Sequence, residues 1–405
     1  MEPGSVFLVL CALIIAGVAG GWLAVHLNLP AILGELAAGA LLALTFSSGI
    51  PFWQEHQDIL EVLGQVGLCA LLFSVGLEIR MRDIVSVGPA SARVAFLGVI
   101  TPFLLGYGVS MLFGQTPLVA LFVGASLTAT SVGITAEVLS ELEIIGSTGS
   151  KIILNAAVLD DVIGLFILTV ISSIAFGEKI SVSNIAMLTG MVVAFFLVVL
   201  IAVRPVISRL MSFIEHTYGD NGTAMTSFAY LMFISFGAAA IGLDVIVGAF
   251  IAGLSLSESR VRHHISASFM PFISVFASLF FVLIGTRMDL SLLNPLVAEN
   301  QPVLALSIAL LAVAVAGKLM SGLAIVRDRE NRLFVGVGMI PRGEVGLICG
   351  NIGLMCGVLP GEIFSSLLLV VMFTSFIGPL FLRFIVPRRL SYYPRIPTDS
   401  KGEQE

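Results

Sequence analysis

The sequence predicts an all-α membrane protein of thirteen transmembrane helices. Three observations carry that expectation. Of 405 residues, 58% are hydrophobic and only 11% charged, whereas soluble chains carry roughly 25% charged residues. The apolar residues come in blocks of about twenty, the length a helix needs to cross a bilayer. Lys and Arg fall on alternate sides of those blocks. In lipid the backbone must satisfy its own hydrogen bonds, so spans are helices or a closed barrel. These runs are too long and continuous for barrel strands, which alternate in polarity.

The spans are expected, in order, at 6–25, 31–46, 59–77, 94–113, 117–139, 152–176, 185–203, 223–241, 245–256, 269–284, 303–326, 334–356 and 363–386. The first follows Glu2 with no basic segment before it. It is longer than a signal-peptide core and is read as a retained helix. The second and ninth are short, so the count needs an independent check. With the N-terminus outside and the spans alternating, 16 Lys and Arg fall inside: Arg80, Arg82, Arg93, Lys151, Arg204, Arg209, Arg260, Arg262, Arg327, Arg329, Arg332, Arg383, Arg388, Arg389, Arg395 and Lys401. Only Lys179 and Arg287 fall outside, and Lys318 and Arg342 lie within spans. This is a strong positive-inside bias. Deleting the ninth span would put every later basic cluster on the wrong side. The expectation is therefore an N-terminus outside, a cytoplasmic C-terminus and a multi-pass protein of the cell (inner) membrane.

The second and ninth spans share a pattern. Ile32 begins ILGELAAGALL and Ile246 begins IVGAFIAGLSL, 214 positions apart. The third span ends LLFSVG at Gly76 and the tenth ends FFVLIG at Gly285, 209 positions apart. Small residues are common at helix contacts, so the near-constant offset carries the argument. The chain divides into six spans (about 5–176), a linker helix (about 183–212) and six more (about 223–388). The second six begin on the opposite side of the membrane. Inverted repeats of this kind are the plan of many secondary transporters, with the site near the midplane at the repeat interface. Residues 391–405 are Pro-rich and polar, and are expected to form a disordered cytoplasmic tail.

Two spans carry interruptions. In the fifth, Thr128, Thr130, Ser131 and Gly133 cluster at the middle; in the twelfth, Pro341, Arg342, Gly343 and Glu344 do. Proline removes a donor and clashes with the preceding turn. Backbone freed this way survives in a membrane only inside protein or beside a water-filled cavity. The interruptions lie about 213 residues apart, the offset of the repeat. Matched interruptions point to a binding site in this class. Half-helix N-termini and freed carbonyls there leave charges of both signs to balance, and Arg342 and Glu344 either neutralise these dipoles or pair with each other. The alternative for the Ser and Thr residues is bonding back to their own helix.

The segment NAAVLDDVIGL, 155–165, holds Asp160 and Asp161 side by side in an apolar run. An Asp at mid-helix costs roughly 2.5–3.5 kcal/mol on insertion scales. Adjacent helical residues point about 100° apart, so the two carboxylates face different surroundings. Lys318, in AVAGKLMSG, is the natural partner of Asp160 or faces a water-lined cavity; snorkelling to the interface is the alternative. A purely structural salt bridge is the bland reading of the trio. Intramembrane ionisable groups are by default functional candidates. A carboxylate in low dielectric holds a proton or a small cation, not both. Hard cations take oxygen ligands, supplied by Asp161 and Asp160, with Thr130 or freed carbonyls adding more. Competition for such a site, opened to each side in turn, is antiport.

Other features say less. Glu35 and Glu78 sit near span ends, as interfacial anchors. His263 and His264 lie in a loop read as solvated, with a pH sensor as the sharper alternative. Cys11, Cys69, Cys349 and Cys356 all lie inside apolar runs, which suggests packing residues rather than disulfides or a metal site.

At TSVGITAEVL, NAAVLDDVIGL, AGKLMSG and MIPRGEVGLI the chain resembles the monovalent cation:proton antiporter-2 family, most of all its NapA-like bacterial sodium/proton antiporters. The likeness covers 6–386. It implies a NhaA/NapA-like fold with a dimerisation domain and a six-helix core in which two broken helices cross. It implies Na+ or Li+ and H+ as substrates, Asp161 as the essential carboxylate, Asp160 paired with Lys318, and an elevator movement within a homodimer in membrane lipid. The Asp-Asp pair resembles the electrogenic sodium type, whereas Kef-like potassium members carry Gln-Asp there. No cofactor, nucleic acid or enzymatic reaction is expected. Potassium/proton exchange is the nearest alternative, followed by a sodium-coupled organic anion symporter. A passive channel stands further off. An intramembrane aspartyl protease would need motifs that are absent.

Overall fold

The structure is a computed structural model describing residues 3–46, 57–79, 81–175, 182–287, 293–297, 300–325 and 330–386. The expected tail, 391–405, lies outside the described residues, as do Arg80, Lys179, Arg327, Arg329, Arg388, Arg389, Arg395 and Lys401. Among the described residues every regular element is helical.

α1 (Pro3–His26) and α2 (Ala31–Phe46) form a hairpin, followed by α3 (Gln57–Glu78) and the long α4 (Met81–Leu112). The fifth expected span is two half-helices, α5 (Pro117–Ser126) and α6 (Val132–Glu141). α7 (Thr148–Ala175) carries the aspartate pair. α8 (Val182–Leu197) runs through a π turn, Val198–Val203, into α9 (Arg204–Ala240). The π turn lies just before Pro205, which has no N–H to give the carbonyl of Ile201. α10 (Val245–Leu256), α11 (Arg262–Phe272), a second π turn (Ile273–Ala277) and α12 (Ser278–Thr286) follow. α13 (Asn300–Ser321), the half-helices α14 (Glu330–Gly338) and α15 (Glu344–Met355), and α16 (Gly361–Ile385) complete the described chain.

Among the described residues, eight helical stretches are long and apolar enough to cross a membrane, with four shorter apolar helices beside them. The chain is a multi-pass membrane protein. One stretch, Thr189–Ala240, runs 52 residues and covers most of two expected spans, 185–203 and 223–241. Gly219 divides it, adopting φ 67 and ψ −159 inside α9. That left-handed conformation is open to glycine at little cost, and it falls between the expected linker helix and the eighth span.

The helices sort by packing into two groups. α1, α2, α3, α10 and α12 pack on one another; α4, α5, α7, α13, α15 and α16 make the other group. The first group is held by glycines at backbone contact. A Cβ on Gly39 of α2 would stand 2.0 Å from the Val282 carbonyl oxygen, and one on Gly253 of α10 2.0 Å from that of Phe73. A Cβ on Gly285 would meet the Leu36 oxygen at 2.2 Å, and one on Gly76 the Phe250 oxygen at 2.3 Å. Each pair repeats the other at the offsets 214 and 209: Gly39 maps to Gly253, Leu36 to Phe250, Phe73 to Val282 and Gly76 to Gly285. α2 therefore packs on α12 as α10 packs on α3.

The two groups meet at a polar seam. Both carboxylate oxygens of Glu141, at the end of α6, accept from the Ala31 N–H that begins α2, at 2.9 and 3.0 Å. That N–H is one of the donors a helix start leaves without an internal partner. Arg383 of α16 donates to the Asn28 carbonyl at 3.4 Å. Glu35 of α2 lies beside Ser278 and Glu141. Glu78 is exposed at the end of α3.

The close glycine contacts generate a paired prediction. Gly39→Ala and Gly253→Ala each force backbones apart, and each is expected to cost about 1–3 kcal/mol. Gly88 of α4 has nothing within 4 Å of a built Cβ, so Gly88→Ala is expected to be neutral or to stabilise by about 0.5–1 kcal/mol. Thermal unfolding of the three variants in one detergent checks this; a harmless Gly39→Ala would refute the packing argument.

Candidate functional site

The two interruptions, 127–131 and 339–343, meet. The Ser131 N–H donates to the Pro341 carbonyl at 2.8 Å, and the Thr135 hydroxyl to the Gly338 carbonyl at 2.9 Å. The Ser131 hydroxyl accepts from Ile134 N–H at 3.4 Å, so Ser131 caps α6 with its side chain. Gly343 starts α15 with extended backbone and packs on Ser131, where a Cβ would meet the Ser131 Cα at 3.0 Å. Two half-helices thus end, and two begin, around one point. Their ends carry partial charges of both signs.

Arg342 answers the negative ends. It is 1% exposed, and its guanidinium donates to the carbonyls of Leu127, Ala129 and Ala314. The carbonyls of Leu127 and Ala129 are left free where α5 stops. Arg342 is thus engaged with backbone oxygens; Glu344 opens α15, and its side chain lies outside the described residues. Thr128 bonds back to its own turn, to the Ala125 carbonyl at 2.8 Å. Thr130 reaches outward instead.

Asp160 is 0% exposed, and one of its oxygens, Oδ2, accepts from Lys318 Nζ at 2.7 Å and from the Thr130 hydroxyl at 2.7 Å. Lys318 is itself 0% exposed, so its ammonium turns into the bundle rather than to the interface. Gly98 of α4 leaves the room: a Cβ there would lie 3.4 Å from Lys318 Nζ. Gly317 presses on Pro102, and the Thr101 hydroxyl lies 2.7 Å from the Gly317 carbonyl. These contacts hold α13 against α4 at the level of the ammonium.

Asp161 points elsewhere, as the helical turn between neighbours requires. It lines a cavity with Thr130, Ser131, Gly133, Arg342 and Gly343 on the crossing side, and with Asp244, Ile246, Phe280 and Arg287 on the other. The cavity therefore lies between the two packing groups. Asp160 does not line it. Thr130 both donates to Asp160 and lines the cavity with Asp161.

Sequence reasoning missed three participants. Asp244 precedes α10 and accepts from Ile246 N–H at 2.9 Å; an Asp just before an apolar helix is a capping signal, and it could have been read. Ser375 of α16 lines the cavity, and nothing in its local sequence marks it. Glu141 reaches across the seam, and only tertiary packing reveals that. The histidines lie apart from the cavity: His264 stands 2.9 Å from Glu215 and 3.5 Å from Asp220, and both histidines are exposed. The four cysteines are thiols rather than disulfides.

Comparison with known proteins shows the family. The family model described as sodium/hydrogen exchanger, transmembrane, matches residues 5–388. The high-affinity Na(+)/H(+) antiporter NhaS3 of Synechocystis is 33% identical, over 94% of this chain and 89% of its own. The Na(+)/H(+) antiporter of Enterococcus hirae is 29% identical over 94% of this chain and 98% of its own. The Na(+)/H(+)-K(+) antiporter GerN of Bacillus cereus is 30% identical over 90% and 92%. The fold matches the solved structure of the sodium proton antiporter MjNhaP1 from Methanocaldococcus jannaschii, with a TM-score of 0.61 at 16% identity, covering 96% of this chain and 98% of that one. With a half-helix crossing over a buried Asp-Lys pair, and a family match along nearly its whole length, the chain belongs to the sodium/hydrogen exchanger family of monovalent cation:proton antiporters.

Proposed function

We propose that this protein exchanges Na+ or Li+ for H+ across the membrane, with Asp161 as the carboxylate that carries either ion. One observation carries the reading. Of two adjacent aspartates, Asp160 is sealed under Lys318 and Thr130, while Asp161 lines the cavity between the packing groups. A carboxylate at such a boundary can be presented to each side in turn. Asp160 holds Lys318, and through Thr130 it also positions an oxygen ligand beside Asp161. Thr128, Ser131, Pro341 and Arg342 keep the crossing backbone satisfied while its dipoles face the ion.

The finer reading follows the same line. The chain has thirteen spans in two inverted repeats, N-terminus outside and C-terminus cytoplasmic, in the cell membrane. The reciprocal glycine contacts support the repeat, since each joins one half to the other. The group of α1, α2, α3, α10 and α12 is the fixed scaffold and dimer face of a NapA-like homodimer; the group with the crossing is the elevator. Exchange is electrogenic and serves pH homeostasis. A potassium reading has support as well, because GerN is described as a Na(+)/H(+)-K(+) antiporter. Ion competition separates the two.

Proteoliposomes with an imposed pH gradient and an internal pH-sensitive dye provide the test. Addition of Na+ or Li+ is expected to collapse the gradient, and Asp161→Asn to reduce the response to that of empty liposomes. Undiminished transport by Asp161→Asn would remove the proposed carrier, and collapse by K+ alone would select the potassium reading.

Lys318 gives a second prediction. Lys318→Ala strands a buried Asp160 charge and is expected to cost about 3–5 kcal/mol of stability. The double variant Asp160→Asn with Lys318→Ala should recover most of that loss, since removing both charges of a buried pair is close to neutral. Unfolding midpoints of the single and double variants check it. A double variant as unstable as Lys318→Ala would contradict the pairing.

A further inference from the structure

We infer that Asp244 is a cation-recruiting residue on the scaffold wall of the cavity, drawing Na+ or another small monovalent cation toward Asp161. The inference rests on the reading of the cavity as the ion's path. Asp161 comes from α7 in one packing group, while Asp244 stands at the start of α10 in the other, and both line the same cavity. A cation entering between the groups therefore meets a carboxylate on each wall.

The neighbouring charges sharpen the assignment. Arg287 lines the cavity, and its guanidinium lies 3.1 Å from Glu61. Arg342 lines it too, and its donors go to the carbonyls of Leu127, Ala129 and Ala314. Asp160 is covered by Lys318. Asp161 and Asp244 are the carboxylates lining the cavity among the described residues. Thr130, Ser131 and Ser375 add hydroxyls, and much of the remaining wall is apolar, with Leu68, Ile246, Phe280, Ile284 and Met372 among its residues. Low-dielectric walls focus the field of such charges and raise the local concentration of counter-ions.

The local fold does not require the negative charge. One oxygen of Asp244, Oδ1, caps α10 through Ile246 N–H. A carboxylate has acceptor capacity beyond one such bond, and Asn or Ser caps a helix about as well as Asp. Asp244→Asn therefore keeps the cap and removes the charge. Asp161 remains the carrier, so the maximal rate is preserved and only the cation concentration needed to reach it rises.

The experiment titrates Na+ on wild type, Asp244→Asn and Asp244→Ser in proteoliposomes, at low ionic strength and with added choline chloride. The apparent KM for Na+ is expected to rise about 3- to 10-fold at low ionic strength in both variants, with an unchanged maximal rate. The gap should shrink as salt screens the field. An unchanged KM at low ionic strength in folded variants overturns the proposal. So does a gap that salt leaves intact, or loss of thermal stability in both variants, which would make the charge structural. Asp161→Asn runs in parallel. If it still transports, the reading of the site has failed; if it is dead while Asp244→Asn is silent, only the role of Asp244 falls.

Discussion

Backbone that leaves a helix inside a membrane must find its hydrogen bonds within the protein. Everything at the centre of this molecule follows from that constraint. Breaking the fifth and twelfth spans frees N–H and carbonyl groups where no water is guaranteed. The cost falls only if the two breaks satisfy each other, and they do so through Ser131 and Pro341 and through Thr135 and Gly338. The carbonyls left over at the end of α5 need a donor with several N–H groups at fixed angles. The planar fork of Arg342 reaches Leu127 and Ala129 there and Ala314 of α13 at the same time, which the point charge of a lysine is less suited to do.

The aspartate pair then has a physical division of labour. A charge under lipid needs an opposite charge or a polar surface, and the two neighbours face different surroundings. Asp160 takes the ammonium of Lys318, and the room for it is cut by Gly98. Asp161 takes the cavity. Thr130 couples them by donating to the first while lining the space of the second. Thr130 is thus a hydroxyl contact between the buried pair and the cavity wall.

Much of this was legible in the sequence, because hydrophobic length, charge placement and proline are strong signals in a membrane. The apolar helix blocks and both interruptions follow from block lengths and a repeated offset. The cost of a lone buried charge makes Lys318 a candidate partner of Asp160, with a cavity or the interface as alternatives, and the structure pairs the two. What stayed hidden depends on which faces meet. Glu141 reads as a polar residue at a span end, yet its carboxylate caps α2 across the seam. Ser375 is one serine among several in α16, and only packing brings it to the cavity. The expected linker helix, about 183–212, ends too early: the structure carries the chain through the π turn at Val198–Val203 and on to Gly219, where the backbone turns inside α9.

The glycine contacts carry a consequence for the order of folding. Gly39 and Leu36 lie against Val282 and Gly285, and Phe73 and Gly76 against Phe250 and Gly253. No half of the chain holds both members of any such contact. As the polypeptide emerges into the bilayer, α2 and α3 must wait, glycine faces bare, for α10 and α12 to be made. Within a membrane such faces associate by close packing rather than by water's expulsion, so bare ones are open to the wrong neighbour. The frame of this protein is then assembled late, by the chain's own second half, and the time spent waiting is set by the synthesis of about two hundred residues at about 5–20 per second.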